Sequence, residues 1–535
     1  MIGFMIAVYV VVGAYMLLNF KYDIQMLQQN SYRIDRYWRW LDGRKMGAWR
    51  LVDVALLFML FANFFVNIQA VPELLVAIAC ATKIVLILRR KYKKPLVFTK
   101  RVWRIYSVTA GLALILSALM CIFYVRPEGN PYAPTDGQMT IGVALVVSIF
   151  SYCVVTAAVW LLKPVEEAIN RRYYNDAARI LRSMEPDMTV IGITGSYGKT
   201  STKHYLNRIL SEEYDVLMTP GSFNTPMGVI RTVREMMKPY HRIFICEMGA
   251  KQTGDVKEIC DLVHPRMGII TAVGPMHLES FHTIENVQAT KFELADALPP
   301  DGLAVINNDF EYCANRPVDN VEAMRYAVSN TADAQYCAQN IKYSPEGTTF
   351  EVAGPDGLRL ELRTQLVGEC NISNLLGAVI VALRMGMKPE SIRRAVGKIE
   401  QVEHRLNMKR TPGGVTIIDD AFNSNPTGSK MAVDVLGSFT DGRRIVVTPG
   451  MIELGDKQYE LNRELGKHIG ESVDIAIIVG EYNRDALTDG VRSTDFDTEN
   501  LVVVDSFAKA QEFLGKTLRQ GDVVLYENDL PDTFK

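Results

Sequence analysis

The chain has 535 residues, too many for a single hydrophobic core, and this length predicts several domains. Its net charge of -2 excludes a nucleic-acid-binding protein that relies on a strongly basic surface. The eight cysteines include no C-x-x-C pair, so the sequence favours reduced thiols over a disulfide or zinc framework.

The first 165 residues predict a membrane region with about five transmembrane helices. Apolar runs of spanning length lie at 2–19, 51–67, 71–88, 106–125 and 141–162. The first run is interpreted as a retained span and not as a signal peptide, because its basic residues follow the run and no small-residue cleavage site comes after it. Asp53, near the mouth of the second run, is either a functional ionisable group or a boundary carboxylate beside Arg50.

The basic residues of the loops predict the orientation of this region. Seven lysines and arginines lie in 20–50 and eight in 89–104, whereas the intervening loops hold only Arg126. Because basic loops stay on the cytoplasmic side, the N-terminus is expected outside and everything after Lys163 in the cytoplasm. The chain is therefore expected to be a multi-pass protein of the plasma membrane, with the lipid bilayer as a partner and with cytoplasmic catalytic domains.

The rest of the chain predicts α/β structure: a linker at 166–187, a central domain at 188–402 and a C-terminal domain at 403–535. Runs rich in β-branched residues alternate with amphipathic segments, which is typical of a mostly parallel sheet. In the central domain the runs are TVIGIT (189–194), RIFICEM (242–248), MGIITAV (267–273) and LAVINN (303–308). In the C-terminal domain they are VTIIDD, RRIVVTPG, DIAIIVG, LVVVD and DVVLYEN. The predicted fold class is thus a membrane α-helical region followed by a P-loop central domain and a smaller Rossmann-like C-terminal domain.

A glycine-rich turn follows the first of these runs, in the segment GITGSYGKTST (192–202). Gly195 and Gly198 let the backbone close around phosphate, Lys199 supplies a positive charge, and the hydroxyl of Thr200 can bind Mg²⁺. Ile193 occupies the position where the general phosphate-loop pattern has its first glycine. The position of the turn between an apolar strand and a helix nevertheless favours a nucleotide site over a chance match.

Two further polar residues follow strands of the predicted sheet. Glu247 ends RIFICE, and His277 comes just after IITAVGPM. Strand ends are where a doubly wound fold gathers its ligands. With Thr200 these residues offer a hydroxyl, a carboxylate and an imidazole to a divalent cation, and oxygen ligands near phosphate suit Mg²⁺. Taken singly, each of these two residues is more often an ordinary polar residue than a catalytic one.

Several segments, taken in order, resemble the Mur ligases, the ATP-dependent amide-forming enzymes of peptidoglycan precursor synthesis. The resemblance covers residues from about 188 to 528. The segments are GITGSYGKTST, SFNTPMGV, EMGA, TAVGPMHLESFHTIENVQATKFEL, NND, GECNISN, HR and IDDAFNSNP. The phosphate loop of this family lacks the first glycine of the general pattern, so Ile193 supports the resemblance.

The resemblance implies sites for ATP, for Mg²⁺ and for substrate. The residues expected to bind ATP are Thr194, Gly195, Ser196, Gly198, Lys199, Thr200, Ser201, Asn307, Asn371, Asn374, Arg405 and Asp420. Those expected to bind metal are Thr200 and Glu247 for one Mg²⁺, and His277 and Lys291 for a second position. Those expected to contact substrate are Asn224, Thr225, Asn423 and Asn425. The expected catalytic residues are Lys199, Glu247, His277 and Lys291.

Some of these implied roles are specific. Lys199 would hold the γ-phosphate and Asn307 would face adenine, while Arg405 and Asp420 would complete the ATP site when the domains close. Lys291 matches a lysine that the family often carries as a carbamate. An ammonium group repels Mg²⁺, whereas its CO₂ adduct is an anion that can bind it. From the sequence alone, a solvated surface lysine is the stronger alternative for Lys291.

The chain departs from the family pattern in three places. Cys370 replaces the histidine of G-x-H-N, and Gly450 replaces the acid of G-D-M-x-E-L-G. These changes put one nucleotide contact and the recognition of the amine substrate in doubt. In addition, the predicted membrane spans stand where the family has a soluble domain that binds a UDP-sugar substrate.

The implied reaction is formation of an acyl phosphate from a carboxylate and ATP, followed by attack of an amine to give an amide, ADP and phosphate. The carboxylate would belong to a cell-envelope precursor, and the amine to an amino acid or to a dipeptide such as D-alanyl-D-alanine. One alternative is a poly-γ-glutamate-type synthetase that polymerises one amino acid. Another is a membrane P-loop ATPase or regulator, and a third is a non-catalytic scaffold.

Overall fold

The structure is a computed structural model that describes residues 2–43, 48–62, 71–89, 92, 94–123, 135–344, 347–402, 405–421 and 425–529. The chain divides into two units, with the boundary between Asn170 and Arg171.

The N-terminal unit is helical. Its helices are α1 (Ile2–Gln29), α2 (Ile34–Gly43), α3 (Ala48–Ala62), α4 (Val71–Arg89), α5 (Lys100–Phe123), α6 (Asp136–Ile149) and α7 (Ser151–Arg182). Helix α6 starts with a capping box, in which Thr135 and Gln138 bond each other's backbone N–H groups. Helix α7 continues through most of the segment predicted as a linker, and Pro164 lies inside it.

Two of these helices, over Gly3–Gln29 and Lys100–Met120, are long and apolar enough to cross a membrane. Helices α6 and α7 count as a third span only if the pair, bent by 71°, is taken together, so the span predicted at 141–162 is not one straight helix. The bend lies where Ser151 begins α7 and donates its hydroxyl to the buried Asp23. The spans predicted at 51–67 and 71–88 overlap α3 and α4 and adjoin residues outside the described ranges, so they stay predictions.

The outward faces of these helices are apolar. Val10, Leu114 and Trp160 are 66%, 67% and 68% exposed, on α1, α5 and α7 respectively. Large apolar side chains exposed on several helices are typical of surfaces that contact another protein or a membrane.

Asp53 is buried inside this unit. Its side chain is 0% exposed, one oxygen lies 2.5 Å from Nζ of Lys83, and the other accepts a hydrogen bond from the hydroxyl of Tyr15 at 2.7 Å. The ammonium group of Lys83 also donates to the Tyr15 hydroxyl at 3.1 Å. This cluster joins α1, α3 and α4 and gives Asp53 a buried ionic partner in Lys83. Its position near the mouth of a membrane span stays a prediction.

The second unit contains a nine-stranded sheet in the order β2-β3-β1-β4-β5-β6-β7-β8-β9. Its strands are β1 (Thr189–Thr194), β2 (Val216–Met218), β3 (Ile243–Glu247), β4 (Met267–Ile270), β5 (Leu303–Asn307), β6 (Glu322–Ala327), β7 (Tyr336–Ser344), β8 (Gly347–Ala353) and β9 (Arg359–Thr364). The pairs from β2 to β7 are parallel, and β7, β8 and β9 are antiparallel. Each strand run predicted in the central domain contains one of these strands, whereas the antiparallel extension was not predicted.

Helices cover both faces of this sheet. They are α8 (Lys199–Leu210), α9 (Pro226–Met236), α10 (Asp255–Val263), α11 (Leu278–Phe281), α12 (Ile284–Asp296), α13 (Glu311–Ala314), α14 (Glu369–Arg384) and α15 (Pro389–Val396). Ile191 and Ile193 pack into the core on the α8 and α14 face, and Val190 packs into the core on the opposite face. Strands buried on both sides explain why the runs in the sequence are continuously apolar.

A six-stranded sheet follows in the order β10-β11-β15-β12-β13-β14. Its strands are β10 (Asn407–Arg410), β11 (Thr416–Asp420), β12 (Arg444–Thr448), β13 (Ile475–Val479), β14 (Leu501–Val504) and β15 (Val523–Glu527). Its helices are α16 (Pro426–Gly437), α17 (Gln458–Ser472), α18 (Arg484–Arg492) and α19 (Phe507–Thr517). All pairs are parallel except β10 with β11, which confirms the predicted mostly parallel α/β character.

Candidate active site

The turn between β1 and α8 has the geometry of an anion site. Gly195 has φ +150° and Gly198 has φ +78°, and α8 begins at the next residue. A Cβ atom on Gly195 would lie 2.1 Å from Oγ1 of Thr271, and one on Gly198 would lie 2.1 Å from Oδ1 of Asn374. Only glycine fits at these two positions, and the turn points the N-terminal N–H groups of α8 toward whatever it encloses.

Neighbouring strands hold this turn in place. The N–H of Ser196 donates to the carbonyl of Ala272 at 2.7 Å, and the Ser196 hydroxyl contacts the backbone of Gly274 at 3.1 Å. The hydroxyl of Thr194 donates to the carbonyl of Met248 at 2.9 Å. The turn therefore does not need to be organised when a ligand binds, which lowers the entropy cost of binding.

Lys199 covers the turn. Its Nζ donates to the carbonyl of Gly195 at 2.6 Å. Burial, together with the nearby charge of Arg405, lowers the pKa of Lys199 to about 8, while Glu247 acts in the opposite direction. An amine in this place can exchange the carbonyl for a phosphate oxygen of a bound nucleotide.

Glu247, at the end of β3, is 1% exposed and is contacted from three directions. Its Oε1 accepts from the hydroxyl of Thr200 at 3.2 Å and from the amide of Asn224 at 2.9 Å. Its Oε2 lies 2.9 Å from Nζ of Lys203. Burial raises the pKa of this carboxyl, but Lys203 and Lys199 outweigh that effect, so the pKa is below its ordinary value and the group stays ionised.

A second group of charged residues surrounds His277 and Lys291. Nδ1 of His277 contacts Oε2 of Glu453, and Nζ of Lys251 lies 4.0 Å from Oε1 of the same carboxylate. Burial lowers the pKa of His277, although Glu453 acts to raise it. His277 and Glu453 have φ +53° and +61°, and strained backbone of this kind is concentrated at functional sites.

Lys291 is buried and not a surface residue, which corrects the alternative that its sequence favoured. It is 3% exposed, and its Nζ lies 5.9 Å from the ring centroid of Phe281. Within the described ranges, no carboxylate forms an ion pair with it. Burial and the charge of Lys199 lower its pKa to about 7, so much of this amine is neutral at physiological pH.

The asparagines predicted to bind ATP form hydrogen bonds with other residues of the central domain. The amide of Asn307 is 1% exposed and donates to the carbonyl of Thr271 at 2.9 Å and to the hydroxyl of Ser373 at 3.0 Å. Asn371 accepts from the hydroxyl of Tyr205 at 2.8 Å. Asn374 borders Gly198, and Ser201 is buried in α8. The contact of Asn307 with adenine and the contacts of the other three residues with ATP stay predictions.

The six-stranded sheet contributes Arg405 and Asp420. The charge of Arg405 reaches Lys199, and burial lowers the pKa of this guanidinium while Asp420 acts to raise it. Asp420 accepts from the N–H of Leu406 at 3.1 Å, and burial raises its pKa to about 7.

The predicted substrate residues take several positions. The amide of Asn224 is bonded to Glu247, as described above. Thr225 caps helix α9 through the N–H of Gly228 at 3.3 Å, and Asn425 caps α16 through the N–H of Gly428 at 2.8 Å. Asn423 lies outside the described residues. The capping contacts account for Thr225 and Asn425 without a substrate, so their substrate roles stay predictions.

The structure gives physical reasons for one departure from the family pattern. Gly450 has φ +76°, and a Cβ atom there would lie 2.5 Å from Oδ1 of Asn462. An acidic side chain at this position would strain the backbone and would require Asn462 to move. At Cys370, burial raises the pKa of the thiol to about 12, so the group stays protonated.

A cavity of about 600 Å³ opens beside α8. Its lining includes Thr200, Gly221 and Arg405, with Arg208 and Lys398 farther along. Its charged lining is therefore mainly basic, and its volume is in the range of small-molecule sites.

The residues around the turn fit Mg²⁺ and a nucleotide. Thr200 and Glu247 place two oxygen donors next to the phosphate turn, and the two glycines leave the cradle free of side chains. Among the described residues, no three His, Cys, Asp or Glu side chains converge on one point. Mg²⁺ in nucleotide sites takes one or two protein carboxylates and completes its shell with phosphate and water.

A phosphate-binding turn in a parallel sheet, followed by a second α/β sheet whose charges reach the turn, is typical of a nucleotide-dependent enzyme. The profile of the Mur ligase middle domain matches residues 193–382, and that of the Mur ligase glutamate ligase domain matches 404–526. Together these matches cover more than half of the chain. The chain belongs to the Mur ligase family, whose members form amide bonds with ATP and Mg²⁺ and release ADP and phosphate.

Individual relatives support this membership. The UDP-N-acetylmuramoyl-tripeptide--D-alanyl-D-alanine ligase of Haemophilus influenzae is 28% identical over 319 residues, which are 59% of this chain and 68% of that protein. The enzyme of the same name from Bacillus subtilis is 29% identical over 55% of this chain, and the chain spans 63% of its length. A crystal structure of MurF from Acinetobacter baumannii superposes with a TM-score of 0.61 at 25% identity, covering 68% of this chain and 78% of that one.

Two residues of the site were not found from the sequence. Lys203 lies four residues after Lys199, a spacing that places both on one face of α8 and that could have indicated it. Glu453 belongs to the segment PGMIELG, three residues after Gly450, and no local pattern distinguishes it from other surface carboxylates. Its contact with His277 depends on how the two sheets face each other, which the sequence pattern does not show.

Proposed function

We propose that this protein is a membrane-anchored ATP-dependent ligase of cell-envelope synthesis. It activates a carboxylate of an envelope precursor as an acyl phosphate and joins it to an amino acid or to a dipeptide of the D-alanyl-D-alanine type. The observation that carries the proposal is the arrangement of Lys199, Thr200 and Glu247 around a preformed phosphate turn. The relatives named above supply the class of substrates.

The residues of the turn would act on the phosphates. Lys199 would leave the carbonyl of Gly195 and bind the γ-phosphate, because the negative charge of phosphate attracts the ammonium group more strongly than a neutral carbonyl does. Thr200 and Glu247 would hold Mg²⁺, which neutralises phosphate charge when bound. Arg405 and Asp420 would close over the nucleotide from the second sheet.

Lys291 would act as a carbamate. Its neutral amine, favoured by a pKa of about 7, can attack CO₂ and release a proton, and the product is an anion. That anion would supply a further negative charge at the second metal position, beside His277. A buried lysine with no ion-pair partner among the described residues supports this role.

The proposed reaction has two steps, in which the carboxylate reacts first and the amine second. The carboxylate oxygen bonds to the γ-phosphorus of ATP, and ADP leaves. The amine nitrogen bonds to the acyl carbon, and phosphate leaves with the carboxylate oxygen that attacked. The cavity beside Thr200, with Arg208 and Lys398 in its lining, suits an anionic part of the donor.

The proposed location is the plasma membrane, with the two sheets in the cytoplasm. Two helices of spanning length, exposed apolar faces and the distribution of basic loops support it. A lipid-linked or polymeric donor at the inner leaflet would suit such an enzyme. A fluorescent protein fused after Lys535 should fluoresce in cells and sediment with membranes, whereas dark fusions or fusions that remain in the supernatant would contradict this location.

The activity is tested with the full-length protein in lipid nanodiscs. The carboxylate donors tested are a UDP-linked peptide, a lipid-linked peptide and a free amino acid. The amines tested are D-alanyl-D-alanine and single amino acids. ADP release that needs both substrates, with an amide product found by mass spectrometry, is expected. Polymer from one amino acid would favour the poly-γ-glutamate type of activity. ADP release that needs neither the donor nor the amine would contradict the ligase activity and favour an ATPase. The family membership favours the ligase over the ATPase.

A further inference from the structure

Lys203 is the most deeply buried charged residue beside the phosphate turn. Its side chain is 0% exposed, and Nζ lies 2.9 Å from Oε2 of Glu247. The same ammonium group donates to the carbonyl of Gly221 at 2.7 Å. Burial of a charge at this depth requires such partners, because an unpaired ammonium group in the interior is very unfavourable.

The two oxygens of Glu247 are thereby given different partners. Oε2 faces Lys203, on the side of the loop that contains Gly221. Oε1 faces Thr200 at 3.2 Å and Asn224 at 2.9 Å, on the side of the phosphate turn. If the carboxylate turned to bring both oxygens toward Thr200, the ammonium group would lose its ionic partner.

We propose that Lys203 is a positioning residue that makes Glu247 a one-oxygen ligand, so that the site selects Mg²⁺ over larger divalent cations. The inference rests on the proposed function, because it takes the cation of Mg-ATP to lie beside Thr200. Mg²⁺ requires six ligands at short distances and uses single carboxylate oxygens, whereas Ca²⁺ takes more ligands at longer distances and readily uses both oxygens of one carboxylate. An ammonium group on Oε2 blocks the second mode.

A purely structural ion pair makes a different prediction. Loss of such a pair would weaken the fold, and with it the binding of every cation by the same factor. A positioning role changes the ratio between cations, because only the larger ion gains when Oε2 becomes available. The ratio of Ca²⁺ to Mg²⁺ affinity therefore separates the two roles.

The experiment uses the full-length protein in detergent and a fluorescent ADP analogue as the probe. Mg²⁺ or Ca²⁺ is titrated, and the concentration that gives half-maximal nucleotide binding is measured for each. The variants are Lys203→Met and, in case that one does not fold, Lys203→Gln, which keeps a polar end without the charge. Lys257→Met is the matched control, because Lys257 is exposed and pairs with Asp261 one turn away on α10.

We expect the Ca²⁺-to-Mg²⁺ affinity ratio to rise about tenfold in the Lys203 variants and to stay unchanged in the control. An unchanged ratio in a folded Lys203 variant would overturn the inference, as would nucleotide binding that needs no divalent cation. Failure of the proposed function is detected by a different measurement, namely amide formation. If the ratio shifts as expected but no amide forms from any donor and amine, the positioning role stands and the ligase proposal falls.

Discussion

Two buried pairs of lysine and carboxylate in the described part of the chain differ in what surrounds them. In the helical unit, the oxygens of Asp53 are taken by Lys83 and by Tyr15, all on α1, α3 and α4. Beside the phosphate turn, Glu247 shares its oxygens between Lys203 and two residues of the site, Thr200 and Asn224. The first pair joins three packed helices. The second joins a helix, a strand end and a loop, and all three border the phosphate turn.

The role of a buried ion pair is indicated by the residues that surround it. Burial and distance alone do not separate the two pairs, since both carboxylates are at most 1% exposed and both N–O distances are below 3 Å. The neighbours separate them, because only Glu247 has a partner from a phosphate-binding turn. A pair whose partners all come from packed helices is expected to affect stability, and a pair that borders a cradle is expected to affect chemistry as well.

The largest effect is expected at Glu247. Glu247→Gln removes the negative charge beside Thr200, and we expect the rate of amide formation to fall about 1000-fold. ADP release is measured with saturating donor and amine. Asp53→Asn is the matched change in the helical unit and should leave the turnover of the folded fraction unchanged. Equal losses of turnover in both variants would remove the distinction between the two pairs.

The second effect concerns Lys291, whose pKa of about 7 predicts a pH dependence. Lys291→Met should lower the rate about 100-fold, and in the wild type the rate should rise with added bicarbonate. In the folded state, the ammonium group of Lys291 releases its proton near pH 7. In the unfolded chain, the same group keeps its proton up to about pH 10.4. The unfolded state therefore binds more protons above pH 7, and stability should rise with pH in the wild type relative to the variant. Parallel thermal denaturation curves over that range would contradict the assignment.

The third effect is on stability in the helical unit. Lys83→Met or Asp53→Asn leaves the other charge buried without its partner, which should destabilise the protein by about 3 kcal/mol. The double change Asp53→Leu with Lys83→Met removes both charges and should recover most of this loss. Thermal denaturation of the full chain in detergent measures all three variants. A double variant no more stable than the singles would show that the cluster does more than join helices.

The fourth effect concerns Glu453, which connects the second sheet to His277. Glu453→Gln keeps the shape of the side chain but removes the charge that orients the imidazole. We expect the Mg²⁺ concentration for half-maximal activity to rise about tenfold with little change in stability. Glu460→Gln, on the exposed face of α17, is the control. A variant with unchanged Mg²⁺ dependence would place His277 outside the metal site.

The smallest effect is expected in the cavity beside α8. Lys398 is 56% exposed in its side chain and lies 3.7 Å from Glu212. Lys398→Ala should raise the KM for an anionic donor about threefold and leave the KM for ATP unchanged, because exposed charges contribute little each. An increase confined to the KM for ATP would instead make the cavity part of the nucleotide site.

The strands and the phosphate turn were predictable because their signals are local. TVIGIT, RIFICE and the glycines of the turn follow from β-branched runs and backbone requirements within a few residues. The buried position of Lys291 also had a local signal, because Val287 and Leu294 lie four before and three after it on the apolar face of α12.

The remaining features depend on contacts between distant segments. Asp53 and Lys83 are 30 residues apart, and their pairing depends on the packing of α3 against α4. Glu453 and His277 are 176 residues apart and meet only when the two sheets face each other. The bend between α6 and α7 likewise occurs inside a continuous apolar run that reads as one helix. No periodicity in the sequence specifies such contacts.

The most direct test of the ligase assignment follows an oxygen atom. The full-length protein is given Mg-ATP, D-alanyl-D-alanine and a peptide donor whose carboxylate carries ¹⁸O, and the released phosphate is analysed by mass spectrometry. An acyl phosphate passes one carboxylate oxygen to phosphate, so one ¹⁸O per amide formed is the predicted result. Phosphate without label, released at the same rate whether or not the donor is present, would contradict the account.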